Sequence, residues 1–148
     1  MKTIVALVDF SDVTTRVVEQ STVLAAAFES RLILLHVVPE QPAVLELGLA
    51  SPTVLQKPSE RKIEADYNNL LDIRDSLAKS GTNVQVQQLE QGGVKKVLEQ
   101  CRTFETSLIV MGSHHHNALY HLLVGTFTDD VLKRATCPVM VVPAIQPI

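Results

Sequence analysis

The sequence has no tryptophan, only 4% aromatic residues and two cysteines, Cys101 and Cys137, in 148 residues. Two cysteines in a chain of this size do not form the disulfide framework of a small secreted protein. We expect both to be buried, reduced thiols. Catalytic use of either thiol would require a neighbouring base, and the sequence identifies none.

Long apolar runs are also missing. The longest, Leu32 to Val38, has the length of a strand and contains His36, whereas a membrane-spanning helix needs roughly 20 apolar residues. The first residues run into Asp9 without a small-residue cleavage site, so we expect no signal peptide. These absences predict a cytoplasmic protein that does not enter a membrane.

Acidic residues slightly outnumber basic ones. The formal net charge is -3 at pH 7, and no block of lysine or arginine interrupts the chain. Nucleic acid therefore has no electrostatic reason to bind. The P-loop spacing and the G-x-G-x-x-G pattern, the two commonest nucleotide-binding fingerprints, are absent as well.

The composition that remains is that of an ordinary globular protein, with 46% hydrophobic and 20% charged residues, and the length suits one domain over residues 1–148. Thr3 to Asp9 and Arg31 to Val38 are continuous apolar runs typical of strands buried on both faces of a parallel sheet. Between them the spacing predicts a helix with Ser11 as its N-cap. Its predicted core-facing stripe consists of Val13, Val17, Leu24 and Phe28.

The rest of the chain continues the alternation of strands and helices. Four prolines between Pro39 and Pro58 predict a long, partly ordered connection. The elements predicted after it are a helix from Ser59 to Gly81 with Ile63, Tyr67, Leu70, Ile73 and Leu77 on its apolar face, a half-buried edge or near-edge strand at Val84 to Leu89, a helix with Val94, Val97, Leu98 and Cys101, a strand at Ser107 to Gly112, a helix from about Thr126 to Arg134, and a last strand at Pro138 to Val142. This order predicts a parallel sheet with helices on both faces.

In such a sheet, ligands bind outside the carboxyl ends of the strands, where the strand order reverses. Two of the predicted strand ends carry notable residues, Asp9 and Gly112. A glycine there allows a ligand to approach the backbone closely. Asp9 has an alternative explanation, because an acidic side chain before a helix also caps that helix.

Gly125 and Thr126 lead into the last predicted helix. Backbone amides and hydroxyl groups at a helix start bind phosphate, and Thr128 adds a second hydroxyl in the same turn. On spacing alone, an ordinary turn glycine is the favoured explanation of Gly125.

Five histidines invite a metal hypothesis, because three of them are consecutive, from His114 to His116, with His121 nearby. Neighbouring side chains point in different directions, whereas structural zinc sites draw their ligands from separated positions. A solvated loop is the preferred interpretation, and we expect no metal. His36, inside a buried strand, is expected to be a hydrogen-bonded core histidine.

The segment Val110–Val131, followed by Thr136–Val142, resembles the carboxyl-terminal half of universal stress proteins. ATP-binding members of that family carry the motif G-x2-G-x9-G-[ST]. The matching positions here are Gly112, His115, Gly125 and Thr126, so a histidine replaces the second glycine. Ile4–Ser11 and Leu34–Val38 resemble the first two strands of the family, and the resemblance covers nearly the whole chain.

The resemblance implies a Rossmann-like α/β fold of the adenine nucleotide alpha hydrolase type, an open five-stranded parallel sheet with strand order 3-2-1-4-5. It also implies an adenine-nucleotide site, for ATP, ADP or AMP, with Mg²⁺ accompanying ATP. The implied binding residues are Asp9 at the ribose, Val37 at the adenine edge, Leu7 and Met111 at the base, Gly112, Gly125, Thr126 and Thr128 around the ribose and phosphates, and their neighbours His114, His115 and Phe127. A side chain at position 115 crowds the phosphates or donates to them, which shifts the preference between nucleotides.

Three functions follow from the resemblance. The first is a stress-response module that binds adenine nucleotide for regulation, with little or no turnover. The second is a stress protein that binds no nucleotide and acts through protein contacts. The third is a slow ATPase, which ranks last because no residue is an evident base for activating water. The last strand, Val139 to Val142, is expected at a sheet edge, and the resemblance implies a homodimer paired through it.

Overall fold

The computed structural model describes residues 1–38, 41–44, 50–56, 60–90, 92–113 and 121–144, with the backbone alone for 41–44, 50–56 and 121–126. Seven strands and four helices lie in these ranges. In chain order they are β1 (Thr3–Val8), α1 (Thr14–Ala27), β2 (Arg31–Val37), β3 (Gln41–Val44), β4 (Ala50–Gln56), α2 (Glu60–Lys79), β5 (Val84–Leu89), α3 (Val94–Thr103), β6 (Leu108–Gly112), α4 (His121–Arg134) and β7 (Val139–Val142). None of the helices within these ranges is long and apolar enough to cross a membrane.

The main sheet has five parallel strands in the order β5-β2-β1-β6-β7. With the pair β3 and β4 set aside, this is the predicted order 3-2-1-4-5, which is therefore confirmed. Both edges match as well, since β5 and β7 are the outer strands. The central strand β1 is almost completely buried, as expected for a continuous apolar run.

Two apolar clusters cover the two faces of the sheet, because successive side chains of a strand point to opposite faces. On one face, Ile4, Ala6 and Val8 pack with residues of α1 and with Leu70 of α2. On the other face, Val5 packs with residues of α3 and with Val131 of α4. The predicted arrangement of helices on both faces is confirmed.

The connection between β2 and α2 contains more regular structure than the prolines predict. β3 and β4 pair antiparallel as a separate two-stranded sheet, and the register shifts between Pro42 and Ala43. Proline lacks the amide hydrogen of a ladder, so it is tolerated at edges and irregularities. In a two-stranded sheet both strands are edges, and the prolines therefore obscured a hairpin.

The first helix differs from the prediction at both ends. Its N-cap is Val13 rather than Ser11, and the helix begins at Thr14. Ser11 instead opens the preceding turn, where its carbonyl oxygen accepts the Thr14 amide at 3.0 Å. Phe28, predicted to face the core, follows the helix and is 48% exposed, and Tyr67 of α2 is 39% exposed. Both aromatic rings lie at the margins of their apolar stripes.

The last helix begins at His121, five residues before the predicted start at Thr126. Gly125 and Thr126 consequently lie inside α4. Only the first four amides of an α-helix lack a partner within the helix. The amides of Gly125 and Thr126 are therefore not the unpaired amides of a helix start, which the sequence had predicted them to be.

Candidate functional site

The strand order reverses beside β1. The chain passes from β1 to β2 and β5 on one side, and then to β6 and β7 on the other. β1 and β6 are parallel neighbours, with Ala6 opposite Val110, so their carboxyl ends meet at this reversal. Asp9 directly follows β1, and Gly112 ends β6. The two residues that the sequence singles out therefore lie on adjacent strand ends at the expected ligand position.

Asp9 organises the turn between β1 and α1. Its Oδ1 atom accepts hydrogen bonds from the Ser11 amide at 2.9 Å, the Ser11 hydroxyl at 2.6 Å and the Thr14 hydroxyl at 3.1 Å. Asp9 is exposed, whereas Thr14 is buried. The carboxylate thus stabilises the turn before α1 rather than capping the helix, whose N-cap, Val13, has no side-chain cap hydrogen bond, and the charge remains at the edge of the sheet.

The space that a side chain at Gly112 would occupy is already filled by Val13. A Cβ atom built on Gly112 would overlap Cγ1 of Val13 and would lie 3.2 Å from Cγ2 and 3.3 Å from Cβ of the same residue. Val13 is buried between the Asp9 turn and α1. The missing side chain at Gly112 therefore allows the start of α1 to approach the end of β6, a packing role that spacing alone does not reveal.

The three residues predicted to contact the base, Leu7, Val37 and Met111, share one apolar surface with Phe127. Met111 is buried, whereas Leu7, Val37 and Phe127 are half-buried. All four belong to the apolar cluster on the α3–α4 face of the sheet. Leu7 and Val37 lie at or next to the carboxyl ends of β1 and β2, so we call these four residues the apolar shelf. A half-buried apolar surface beside an exposed carboxylate suits a ligand with a flat apolar part and a polar part.

The remaining predicted residues divide into two groups. Thr128 is half-buried on α4, one turn beyond Gly125 and Thr126, for which the structure describes the backbone. His114 and His115, like His116, lie outside the described residues. No group of three or more potential metal ligands occurs in the described part of the chain.

Sequence reasoning missed Asp66, a carboxylate on α2 that is only 3% exposed. It faces His36, which the sequence placed correctly as a buried, hydrogen-bonded histidine. Asp66 stands three residues after Ile63 and four before Leu70, so it falls within the apolar face of the helix. An acidic residue in an apolar stripe was the available signal.

A separate hollow of about 180 Å³ lies at the opposite end of the sheet, where Thr106 precedes β6 and Thr136 precedes β7. Both cysteines line it. Burial raises the pKa of the Cys101 thiol from 9.0 to about 11, and the neighbouring Cys137 adds to the rise. Burial also raises the pKa of Cys137. Both thiols are thus protonated and poorly nucleophilic at neutral pH. Cys101 is buried, as the sequence predicted, whereas Cys137 is only half-buried.

Known proteins match this chain over nearly its whole length. A model of the universal stress protein family matches residues 1–143. A curated universal stress protein of Methanocaldococcus jannaschii is 28% identical over 141 residues, which is 95% of this chain and 81% of that protein.

Solved structures with the same fold include two that are described as nucleotide complexes. A universal stress protein in complex with cAMP has a TM-score of 0.68 and 20% identity, covering 97% of this chain and 98% of its own. A universal stress protein from Archaeoglobus fulgidus in complex with dAMP has a TM-score of 0.64 and 16% identity, covering 95% of this chain and 96% of its own. At 20% and 16% sequence identity, the structural similarity establishes a shared fold.

Proposed function

Because the chain belongs to the universal stress protein family, we propose that it is a cytoplasmic stress-response protein that binds an adenine nucleotide, ATP, ADP or AMP, for regulation rather than turnover. The nucleotide would lie at the carboxyl edge of the sheet, between β1 and β6. One observation carries the proposal. Asp9 and the apolar shelf lie together where the strand order reverses, which is where open parallel sheets bind ligands.

The chemistry of this edge suits adenosine. The apolar shelf offers a surface for the base, with Leu7 and Met111 beneath it and Val37 at its edge. The Asp9 carboxylate, exposed beside the shelf, is an acceptor for ribose hydroxyl groups. The two similar structures in complex with cAMP and dAMP support an adenine base rather than another flat ring.

The phosphates would lie toward α4. The residues proposed to surround the ribose and phosphates are Gly112, His114, His115, Gly125, Thr126, Phe127 and Thr128, with Mg²⁺ accompanying ATP. Because Gly125 and Thr126 lie inside α4, Thr126 would contribute its hydroxyl rather than its backbone amide. His115 occupies the position of a glycine in the family motif, so it would set the preference among the three nucleotides.

We also propose a homodimer formed through β7. Among the described residues this strand pairs with β6 alone, and it is the outermost strand of the sheet. An unpaired strand edge exposes backbone donors and acceptors. Antiparallel pairing with β7 of a second copy would satisfy them.

A second candidate function has its own support. His115 in place of glycine, together with the position of Gly125 and Thr126 inside α4, favours a stress protein that binds no nucleotide and acts through protein contacts. Slow ATP hydrolysis is a third candidate, for which no described residue is an evident base.

Calorimetric titration of nucleotide-stripped protein with ATP, ADP and AMP, each to millimolar concentration, tests the proposal. We expect one bound nucleotide per chain and weaker binding in Asp9→Asn, which retains an acceptor oxygen for Ser11 and Thr14 but removes the charge. The control Glu19→Gln removes an exposed charge on α1 and should bind normally.

The variant His115→Gly should increase the affinity for ATP relative to AMP. Failure of all three nucleotides to bind would overturn the proposal and leave the protein-contact function. Steady phosphate release from ATP that disappears in Asp9→Asn would instead show that the protein is an enzyme.

A further inference from the structure

His36 connects the turn that carries Asp9 to helix α2. It lies near the carboxyl end of β2, directly opposite Val8 of β1, and is only 1% exposed. Its Nδ1 atom is 2.7 Å from the carbonyl oxygen of Val8. A carbonyl oxygen accepts and never donates, so Nδ1 carries a proton and donates it to Val8.

The opposite ring nitrogen faces α2. Nε2 of His36 lies 3.4 Å from Oδ2 of Asp66, and it forms no hydrogen bond with the described part of the chain. The other carboxylate oxygen of Asp66 accepts a hydrogen bond from Lys62 Nζ at 2.9 Å. The imidazole thus lies between β1 and α2. Its Nδ1 donates to the Val8 carbonyl oxygen, and its Nε2 faces the buried carboxylate of Asp66.

The ring also contacts the residue on the other side of Asp9. Phe10 packs edge-on against His36, with ring centroids 4.8 Å apart and an interplanar angle of 63°. Phe10 has a φ of 60°, in the left-handed region that non-glycine residues seldom adopt. A conformation of this kind persists only where surrounding contacts maintain it. His36 therefore contacts both chain neighbours of Asp9, through the Val8 carbonyl and the Phe10 ring.

We propose that His36 is a positioning residue for the nucleotide site, holding the Asp9 turn in place through its Nδ1 donor. This inference rests on the proposed function for its effect on nucleotide affinity, but not for its effect on the turn. The hydrogen bond to Val8 fixes where β1 ends, and the Phe10 contact fixes how the chain leaves it. Asp66 and Lys62, the charged groups that face or support the ring from α2, orient the imidazole.

A matched pair of variants separates the two nitrogens. An asparagine side chain places its amide donor near the position of Nδ1, whereas a glutamine side chain places it near that of Nε2. His36→Asn should therefore retain the bond to Val8 and lose the link to Asp66. His36→Gln should do the reverse. Both replace the ring by an amide, so they share the loss of the Phe10 contact and differ in whether the hydrogen bond to Val8 remains.

The readout that does not depend on nucleotide is amide hydrogen exchange. The Ser11 amide, bonded to Asp9, should exchange about tenfold faster in His36→Gln than in His36→Asn, the effect of losing one hydrogen bond. The Ile109 amide, bonded to Pro138 at the opposite end of the sheet, should differ little between the two. The proposal would be overturned if the Ser11 amide exchanged at the same rate in both variants. It would also be overturned if the Ile109 amide exchanged faster in His36→Gln than in His36→Asn by as much as the Ser11 amide does.

Nucleotide affinity provides the second readout. Binding should be weakened about tenfold more in His36→Gln than in His36→Asn, and Asp66→Asn should weaken it less than His36→Gln does. If the wild-type protein binds no adenine nucleotide, the proposed function fails while the exchange experiment still decides the role of His36. If nucleotide binds but the asparagine and glutamine variants have the same affinity, the positioning role fails and the proposed function stands.

Discussion

Val13 occupies the space that a side chain at Gly112 would need. The overlap involves Cγ1 of Val13, while Cγ2 and Cβ would lie 3.2 and 3.3 Å from the added carbon. Val13 is 2% exposed and its branched side chain has little freedom to rotate away. The absence of a side chain at Gly112 thus determines how closely α1 packs on β6, independently of any ligand.

Gly112→Ala should therefore lower the free energy of unfolding by about 1–3 kcal/mol, the usual cost of overpacking. In a Val13→Ala background the same substitution should cost much less, because the overlapping methyl group is gone. Urea unfolding of the four proteins in this double-mutant cycle measures the coupling. An additive result would show that the contact does not limit position 112.

Asp9 should contribute to stability without nucleotide. Asp9→Ala removes the acceptor for the Ser11 amide, the Ser11 hydroxyl and the Thr14 hydroxyl. Loss of an intramolecular hydrogen bond of this kind costs about 0.5–1.5 kcal/mol. Unfolding measured on nucleotide-free protein should show this decrease for Asp9→Ala and a smaller one for Asp9→Asn. Equal stability of Asp9→Ala and the wild type would mean that these bonds are replaced by water without cost.

Much of the fold could be predicted from the sequence because its signals are local. β1, β2 and β6 are buried on both faces, and continuous runs of apolar, β-branched residues specify such strands. Gly81, which has a φ of 90°, marks the end of α2 as expected for a helix C-terminus. The parallel alternation then leaves few topologies to consider.

The predictions that failed depended on tertiary context or on weak local signals. Gly125 disfavours a helix interior by roughly 1 kcal/mol relative to alanine, so it was interpreted as the start of α4 rather than as part of it. Pro42 and Pro52 concealed a hairpin whose strands are both edges. Val13 beside Gly112, and Asp66 opposite His36, are partners that no spacing in the sequence brings together.

The buried thiols give stability a dependence on alkaline pH. The folded chain raises the pKa of Cys101 from 9.0 to about 11, so the folded state retains a proton that the unfolded state releases earlier. The contribution of Cys101 to the free energy of unfolding is complete below its unfolded pKa of 9.0, and it is lost as the pH rises through its folded pKa of about 11. In reducing buffer, the unfolding free energy should fall between about pH 8 and about pH 10.5.

Cys101→Ala isolates this contribution. The variant is expected to be less stable at both pH values because of the cavity, but its stability should fall less over the same interval. Cys137→Ala serves as the matched comparison, since Cys137 is less buried than Cys101. Parallel pH profiles for wild type and Cys101→Ala would contradict the raised pKa.

The edge of β7 that faces away from β6 can be altered to test the dimer without removing a hydrogen bond of the sheet. The carbonyl groups of Pro138 and Val142 accept bonds from Ile109 and Ser113 of the β6 region. Strand alternation then directs the amide of Val141 away from β6. Proline at this position removes an outward donor, and edge strands tolerate such a change.

Val141→Pro should therefore be monomeric at concentrations where the wild type is a dimer, as measured by sedimentation equilibrium, with a folded circular dichroism spectrum. Met140→Pro is the contrasting variant, because its amide points toward β6 and its loss should destabilise the sheet itself. A monomeric wild type at high micromolar concentration would refute pairing through β7. A dimer that persists in Val141→Pro would place the interface elsewhere, because antiparallel pairing of two β7 edges needs the outward amides of both copies.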